Sequence, residues 1–262
     1  MEIIIVLIAF LATVIGSISG IGGGVIIKPV MDAISGLNMS TISFLSGNTV
    51  LAMTIISLLK SAKEPIKPEA GLAIPLSLGA VFGGIVGKSL FSFVQSVASN
   101  NAGVGLVQNI IMIILTVTVF FYIQNKAKIT TINVKNPLLR VMIGFCLGLA
   151  SAFLGIGGGP INIMVLSYFF SQDSKKAAIT SLCIIFFSQT ANLITNLVTH
   201  SIPSFNAYLL VSMMVAAILG ATCGRKLNKK LDNKQVDKLF QILMIIIILL
   251  SIYNAIKFGI AL

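Results

Sequence analysis

Residues 20–24 read Gly-Ile-Gly-Gly-Gly, and residues 155–159 read the same, 135 positions later. Apolar chain flanks both copies. Four glycines in five residues leave backbone amides unshielded and let a ligand approach the main chain closely. A helix starting just after each copy would add free N–H groups and the positive end of its dipole, which together attract anions. The amides concerned are those of Gly22, Gly23 and Gly24 and of Gly157, Gly158 and Gly159. The chemistry on offer is therefore recognition of a small anion by main-chain donors. The alternative is a pair of tight turns, in which glycine lets helices pack closely.

Other polar groups sit in apolar surroundings. Ser181, Ser188, Asn192 and Thr195 are spaced seven, four and three apart, which places them near one helical face. The matching stretch of the first half has Ser46, Thr49 and Ser57 on one side, with Asn48 off the stripe. Such groups can replace the water around an oxyanion, or simply join helices to one another. Asn48, Ser181 and Asn192 are the first candidates for substrate contact. Lys28, four residues past the first glycine run, must either snorkel to an interface or meet an anion.

What is missing narrows the chemistry further. The acids are Glu2, Asp32, Glu64, Glu69, Asp173, Asp232 and Asp237, and all but Asp32 fall at segment ends or in loops. Asp32 itself reads as a surface residue at a helix end. His200 stands alone in a turn, and Cys146, Cys183 and Cys223 have no paired spacing, so they read as small buried apolar residues. No nucleophile–base pair, paired carboxylates or metal cluster is expected, and no cofactor is called for. That argues against an intramembrane enzyme.

These residues have to be positioned by membrane helices. Of 262 residues, 56% are hydrophobic and 10% charged, and the mean hydropathy is +1.04. Soluble domains carry about 25% charged residues. An all-α integral membrane protein is expected. The opening run has no preceding positive residue and no cleavage pattern after it. It reads as a membrane segment with Met1 as the mature start rather than as a secretory leader.

Ten apolar segments can be drawn: 3–18, 24–36, 41–60, 70–92 and 103–123, then 138–154, 159–171, 177–199, 204–224 and 238–258. Most approach the length that spans a hydrocarbon core, but the second of each set is short. The two sets match beyond the glycines. Ser46 corresponds to Ser181 at an offset of 135, and Gly83, Gly87 and Lys88 correspond to Gly220, Gly224 and Arg225 at an offset of 137. The chain reads as a duplication: a first repeat over 1–124, a linker over 125–137 and a second repeat over 138–262.

Charge sets the orientation. If all ten segments cross, 16 of the 18 basic residues share one side, with Lys88 and Lys257 opposite. The positive-inside rule makes that side cytoplasmic and both termini external. The net charge of +11 is thereby read as a topology signal rather than as a nucleic-acid footprint. An odd number of crossings per half inverts one half relative to the other, as in many secondary transporters. Short second segments that re-enter instead of crossing would also give an odd number, moving only the glycine loops and Lys28.

Two GxGGG elements, each opening one half of a compact membrane protein, resemble the sulfite exporter TauE/SafE family over essentially the whole chain. The resemblance implies a bacterial-type inner-membrane permease for sulfite, sulfonates or related sulfur-containing or organic anions. Gly20, Gly22, Gly23, Gly24 and Pro29 match its first element, and Gly155, Gly157, Gly158 and Gly159 its second. Lys28 stands where an apolar residue is usual, Met164 where a proline is expected, and Pro160 adjoins the glycines. The expected partners are a small anion and the lipid bilayer. A carrier working by alternating access is the leading expectation, with a passive channel built on glycine-rich backbone as the alternative.

Overall fold

The computed structural model describes residues 2–97 and 101–261; Met1 lies outside them. Among the described residues there are ten α-helices and no strand. They are α1 (Glu2–Ser19), α2 (Gly24–Ile34), α3 (Met39–Ser61), α4 (Ala70–Val97), α5 (Asn101–Asn125), α6 (Pro137–Leu154), α7 (Pro160–Phe170), α8 (Ser174–Val198), α9 (Ala207–Asn228) and α10 (Asn233–Ile260). Each falls on one of the ten apolar segments. Chain that must satisfy its backbone polar groups without water has little choice but helix.

Eight of the helices are long and apolar enough to cross a membrane. The exceptions, α2 and α7, have 11 residues each, roughly 16 Å at ~1.5 Å per residue. Neither crosses. Glu2 and Ile5 at the start of α1 share a cavity wall with Ser35 and Leu37 at the end of α2. In the other half, the stretch leading into α6 bonds to the end of α7, with Ile132 N donating to Tyr168 O and Val134 N to Phe169 O. So α1–α2 and α6–α7 are helical hairpins whose open ends lie at opposite ends of the bundle. One end carries Lys60, Lys126, Arg140, Lys175 and the basic residues around 225–238; the other carries Glu2, Asn206 and Lys257. Lys28 lies within the first hairpin, against Gln108 of α5 and Gly155 of the second loop.

The halves interlock rather than sit side by side. α1 lies parallel to α9, with Gly220 against Phe10 and Thr13 and Gly224 against Val14 and Ser17. α6 lies parallel to α4 in the same way, with Gly79, Gly83 and Gly87 facing Val141, Phe145 and Leu149. Glycine at these positions brings the helix backbones into contact, which is how membrane helices gain dispersion attraction where water supplies no hydrophobic drive. α5 packs on α10, α2 on α10, α7 on α5, and α3 and α8 cross at the centre. Exchanging each helix of one half for its counterpart in the other leaves this pattern of contacts unchanged.

Four of the five helix starts in the second half are capped by side chains. Asn136, Asp173, Asn206 and Asp232 each accept from an amide in the first turn of the helix that follows, satisfying donors that a helix start otherwise leaves free. The N-caps of α2 and α7 are Gly23 and Gly159, which have no side chain to do so. Cys146 and Cys223, expected to be buried, are exposed on the outside of the bundle among aliphatic side chains.

Candidate functional site: two crossed glycine loops

The loop between α1 and α2 penetrates deeply. Gly20 rests on the backbone of Ala178, one turn into α8, while Gly155 of the second loop rests on Ser43, one turn into α3. Past these tips both chains turn back toward the centre. Gly22 and Gly157 take the left-handed conformation that favours glycine, with φ of +84° and +68°. They meet between Val50 of α3 and Ile185 of α8. A Cβ on Gly22 would stand 3.3 Å from Ile185 Cδ1 and 3.7 Å from the Gly157 carbonyl oxygen, and one on Gly158 would stand 3.4 Å from the Ile21 carbonyl oxygen. Gly24 fits directly against the Ile156 carbonyl oxygen, with no room for a side chain.

Gly22, Gly23, Gly24, Gly157, Gly158 and Gly159 are all buried. Among the described residues, none of their six amides has a hydrogen-bond acceptor in the protein. Buried main-chain N–H groups are rarely left unpaired, because each forfeits a hydrogen bond it would make in water. Six such amides lie at or just before two uncapped helix starts.

The other candidates divide. Ser181 belongs with the loops: its Oγ donates to Gly20 O at 2.6 Å and receives Asn162 Nδ2 at 3.3 Å. Ser46, its counterpart in α3, is buried beside Gly24 with its hydroxyl unpartnered. Asn48 points elsewhere, donating to Phe44 O of its own helix at 2.8 Å. Thr49 and Thr195 also bond within their helices, to Leu45 O and Ala191 O, and Ser57 bonds Ser17 across to α1 at 3.0 Å. Asn192 lines a cavity described below, and its buried Oδ1 has no partner.

Lys28 neither snorkels nor stands free. It is 3% exposed, and its Nζ lies 2.8 Å from Asp32 Oδ2 and 3.2 Å from Gln108 Oε1. Asp32 is therefore not a surface residue but the buried partner of Lys28, one helical turn away. Two charges at this depth are tolerable only together. Gln108 anchors the arrangement by donating to Phe153 O at 2.6 Å, and the lysine stem passes next to Gly155. Gln189, which the polar stripe passes by, is also at the site: it is buried and packs against Gly157 and Gly47. The signal for it was an amide one residue beyond Ser188 in an otherwise apolar stretch.

Two cavities flank the loops. At the end bearing Glu2, a space of about 80 Å³ is lined by Ser43, Gly155, Asn192, Asn196 and Lys88. Lys88 Nζ donates to Asn196 Oδ1 and, at 3.3 Å, to Ser201 Oγ. At the basic end, a space of about 310 Å³ is lined by Lys63, Glu64, Lys175, Ile179, Asn228 and Lys229. The two correspond residue by residue. Ser40, Phe44, Phe91, Ser92 and Ser201 line the first, and Lys175, Ile179, Asn228, Lys229 and Glu64 stand 135 or 137 positions away and line the second. In the same register Lys88 corresponds to Arg225, which is ion-paired with Glu64.

Comparison with known proteins agrees with this architecture. A probable membrane transporter protein of Bacillus subtilis (strain 168), YunE, is 23% identical over 234 residues, covering 80% of this chain and 83% of the relative. No solved structure matches the chain. The family model for the sulfite exporter TauE/SafE matches residues 5–251. The match takes in both glycine loops and eight of the ten helices in full, and the chain, a multi-pass membrane protein, belongs to the sulfite exporter TauE/SafE family.

Proposed function

We propose that this protein is a permease for a small oxyanion, held at the crossing of the two glycine loops and released alternately to either side of the inner membrane. The observation that carries this reading is the crossing of two glycine loops, with six unpartnered amides, from hairpins that open at opposite ends. An oxyanion has several acceptor oxygens, and charge-assisted bonds from fixed amides to such a group are stronger than neutral ones. Sulfite, an alkyl sulfonate and a small carboxylate all present that chemistry, and the family membership favours the sulfur anions.

The two halves are read as inverted repeats, and the positive-inside rule makes the basic end cytoplasmic and both termini external. The corresponding cavities are then the two mouths of one pathway. The external mouth, about 80 Å³, is the smaller; the cytoplasmic mouth is about 310 Å³. The glycines between them are buried, so this conformation is occluded at the centre and more open toward the cytoplasm. Exchanging the packing of the halves would reverse the difference. Ser46 and Ser181, whose hydroxyls reach Gly24 and Gly20, would help replace the anion's water.

The test is uptake of radiolabelled sulfite, taurine and acetate by proteoliposomes containing the purified chain. Saturable uptake of at least one sulfur anion is expected, and Gly23→Val and Gly158→Val should abolish it while leaving membrane insertion intact. Uptake in both variants equal to the parent protein would sink the loop crossing as the binding site. Flux that rises linearly with concentration would replace the carrier with a pore.

A further inference from the structure

A cavity at the basic end larger than the mouth there is not one of the two mouths. It lies between the last turns of α3 and α9, has a volume of about 610 Å³, and is lined by Lys60, Lys63, Lys226, Lys229, Arg225 and Glu64 over a floor of Ile56 and Leu59. Five basic side chains thus face one carboxylate. Arg225 is 1% exposed and gives one nitrogen, Nη2, to Glu64. Its Nε and Nη1 are buried and have no partner. Lys229 Nζ lies 3.8 Å from the other oxygen of Glu64. A buried guanidinium with two idle donors, among four lysines, is unfinished unless an anion completes it.

The floor distinguishes which anion. Leu59 is 63% exposed, and Leu227 and Ile55 nearby are exposed too. On a membrane helix such side chains face acyl chains rather than water. The charged rim sits at the helix ends and the aliphatic floor one turn deeper, which is the order of headgroup and acyl chain in a leaflet. Basic clusters at the cytoplasmic ends of membrane helices recognise anionic lipids on these grounds.

We propose that this pocket binds an anionic phospholipid, with the phosphate on Arg225, Lys60 and Lys229 and the upper acyl chain along Ile56 and Leu59. The proposal rests on the orientation given above for placing the pocket in the cytoplasmic leaflet. Because Glu64 lines both this pocket and the neighbouring mouth, a phosphate that draws Arg225 away from Glu64 would alter the charge at that mouth. Lipid and transport are thereby coupled.

Native mass spectrometry of the delipidated protein tests this, with phosphatidylglycerol and phosphatidylcholine offered at equal concentration. Retention of phosphatidylglycerol at least fivefold above phosphatidylcholine is expected. Lys60→Gln/Lys229→Gln should reduce that preference severalfold. Arg225→Gln alone would strand Glu64 and could fail to fold, so Arg225→Gln/Glu64→Gln is the second variant, with the same loss expected. Equal retention of the two lipids, or an undiminished preference in both variants, would overturn the proposal. Thermal stabilisation by millimolar inorganic phosphate equal to that by phosphatidylglycerol would also overturn it, in favour of a soluble anion. Stabilisation by sulfite, measured in phosphatidylcholine alone, keeps the two readings apart. Its loss with phosphatidylglycerol preference intact removes the transport site and leaves the lipid site.

Discussion

Gly24 at the start of α2 and Ile156 in the opposite loop touch so closely that the Ile156 carbonyl oxygen occupies the place a side chain on Gly24 would need. The two halves of the molecule are joined at this point by backbone alone. Gly24→Ala should push the loops apart, at a cost of about 1–3 kcal/mol typical of overpacking. Sulfite uptake should fall by more than tenfold. Gly71→Ala is the control, since nothing lies within 4 Å of a Cβ there. It should leave uptake unchanged and the melting temperature equal or slightly higher, alanine being the better helix former.

Ser46 and Ser181 correspond in position but not in bonding. Ser181 Oγ satisfies the buried Gly20 carbonyl, whereas Ser46 Oγ has no partner. Ser181→Ala should therefore cost about 1–3 kcal/mol of stability, the range for stranding a buried polar group. Ser46→Ala should cost well under 1 kcal/mol on the same grounds, yet raise the KM for the anion. Thermal unfolding in detergent, set beside uptake kinetics, checks both.

The Lys28–Asp32 pair gives a sharper thermodynamic signature. Lys28→Met or Asp32→Leu alone leaves one uncompensated charge in the interior and should cost about 3–5 kcal/mol. The double variant removes both charges and should be more stable than either single one. A double-mutant cycle reads this directly. A double variant as unstable as the sum of the singles would mean that the two charges act independently.

A re-entrant path for α1–α2 and α6–α7 is expected, and labelling checks it. In a cysteine-free background, Leu37→Cys should react with a membrane-impermeant maleimide from the same side as Asn206→Cys. Asn133→Cys should react only from the opposite side. Both Leu37 and Asn133 are exposed. Leu37 keeps its side whether α2 crosses or re-enters, so the discriminating position is Ile21, buried in the first glycine loop. Ile21→Cys should resist the reagent from both sides, and a full crossing would make it react from the side of Asn133.

Much of this was legible in the sequence. The ten segments are apolar runs bounded by charge or glycine, and the shortness of 24–36 and 159–171 already left re-entry open. What escaped depends on contacts between distant residues. Asp32 looked like a helix-end acid because its position near a turn was visible and the packing of α5 and α10 around it was not. The four-residue spacing from Lys28 was the available clue. Nothing local could reveal that Arg225, in a run of cytoplasmic-type charges, is buried on Glu64 161 residues away. Asn48 failed for the opposite reason. An asparagine within a helix can spend its amide on the preceding turn, and composition does not tell that use from an outward one.

The interlocking of α1 with α9 and of α4 with α6 has a consequence for how the chain is made. When the first five helices leave the ribosome, the glycine backbone at 20–24 has neither α8 nor the second loop to cover it. Its bare amides must wait, in water or in the insertion machinery, until the later helices arrive. A polypeptide cut after residue 125 should consequently be degraded in the cell, whereas the two fragments produced together should find each other and persist.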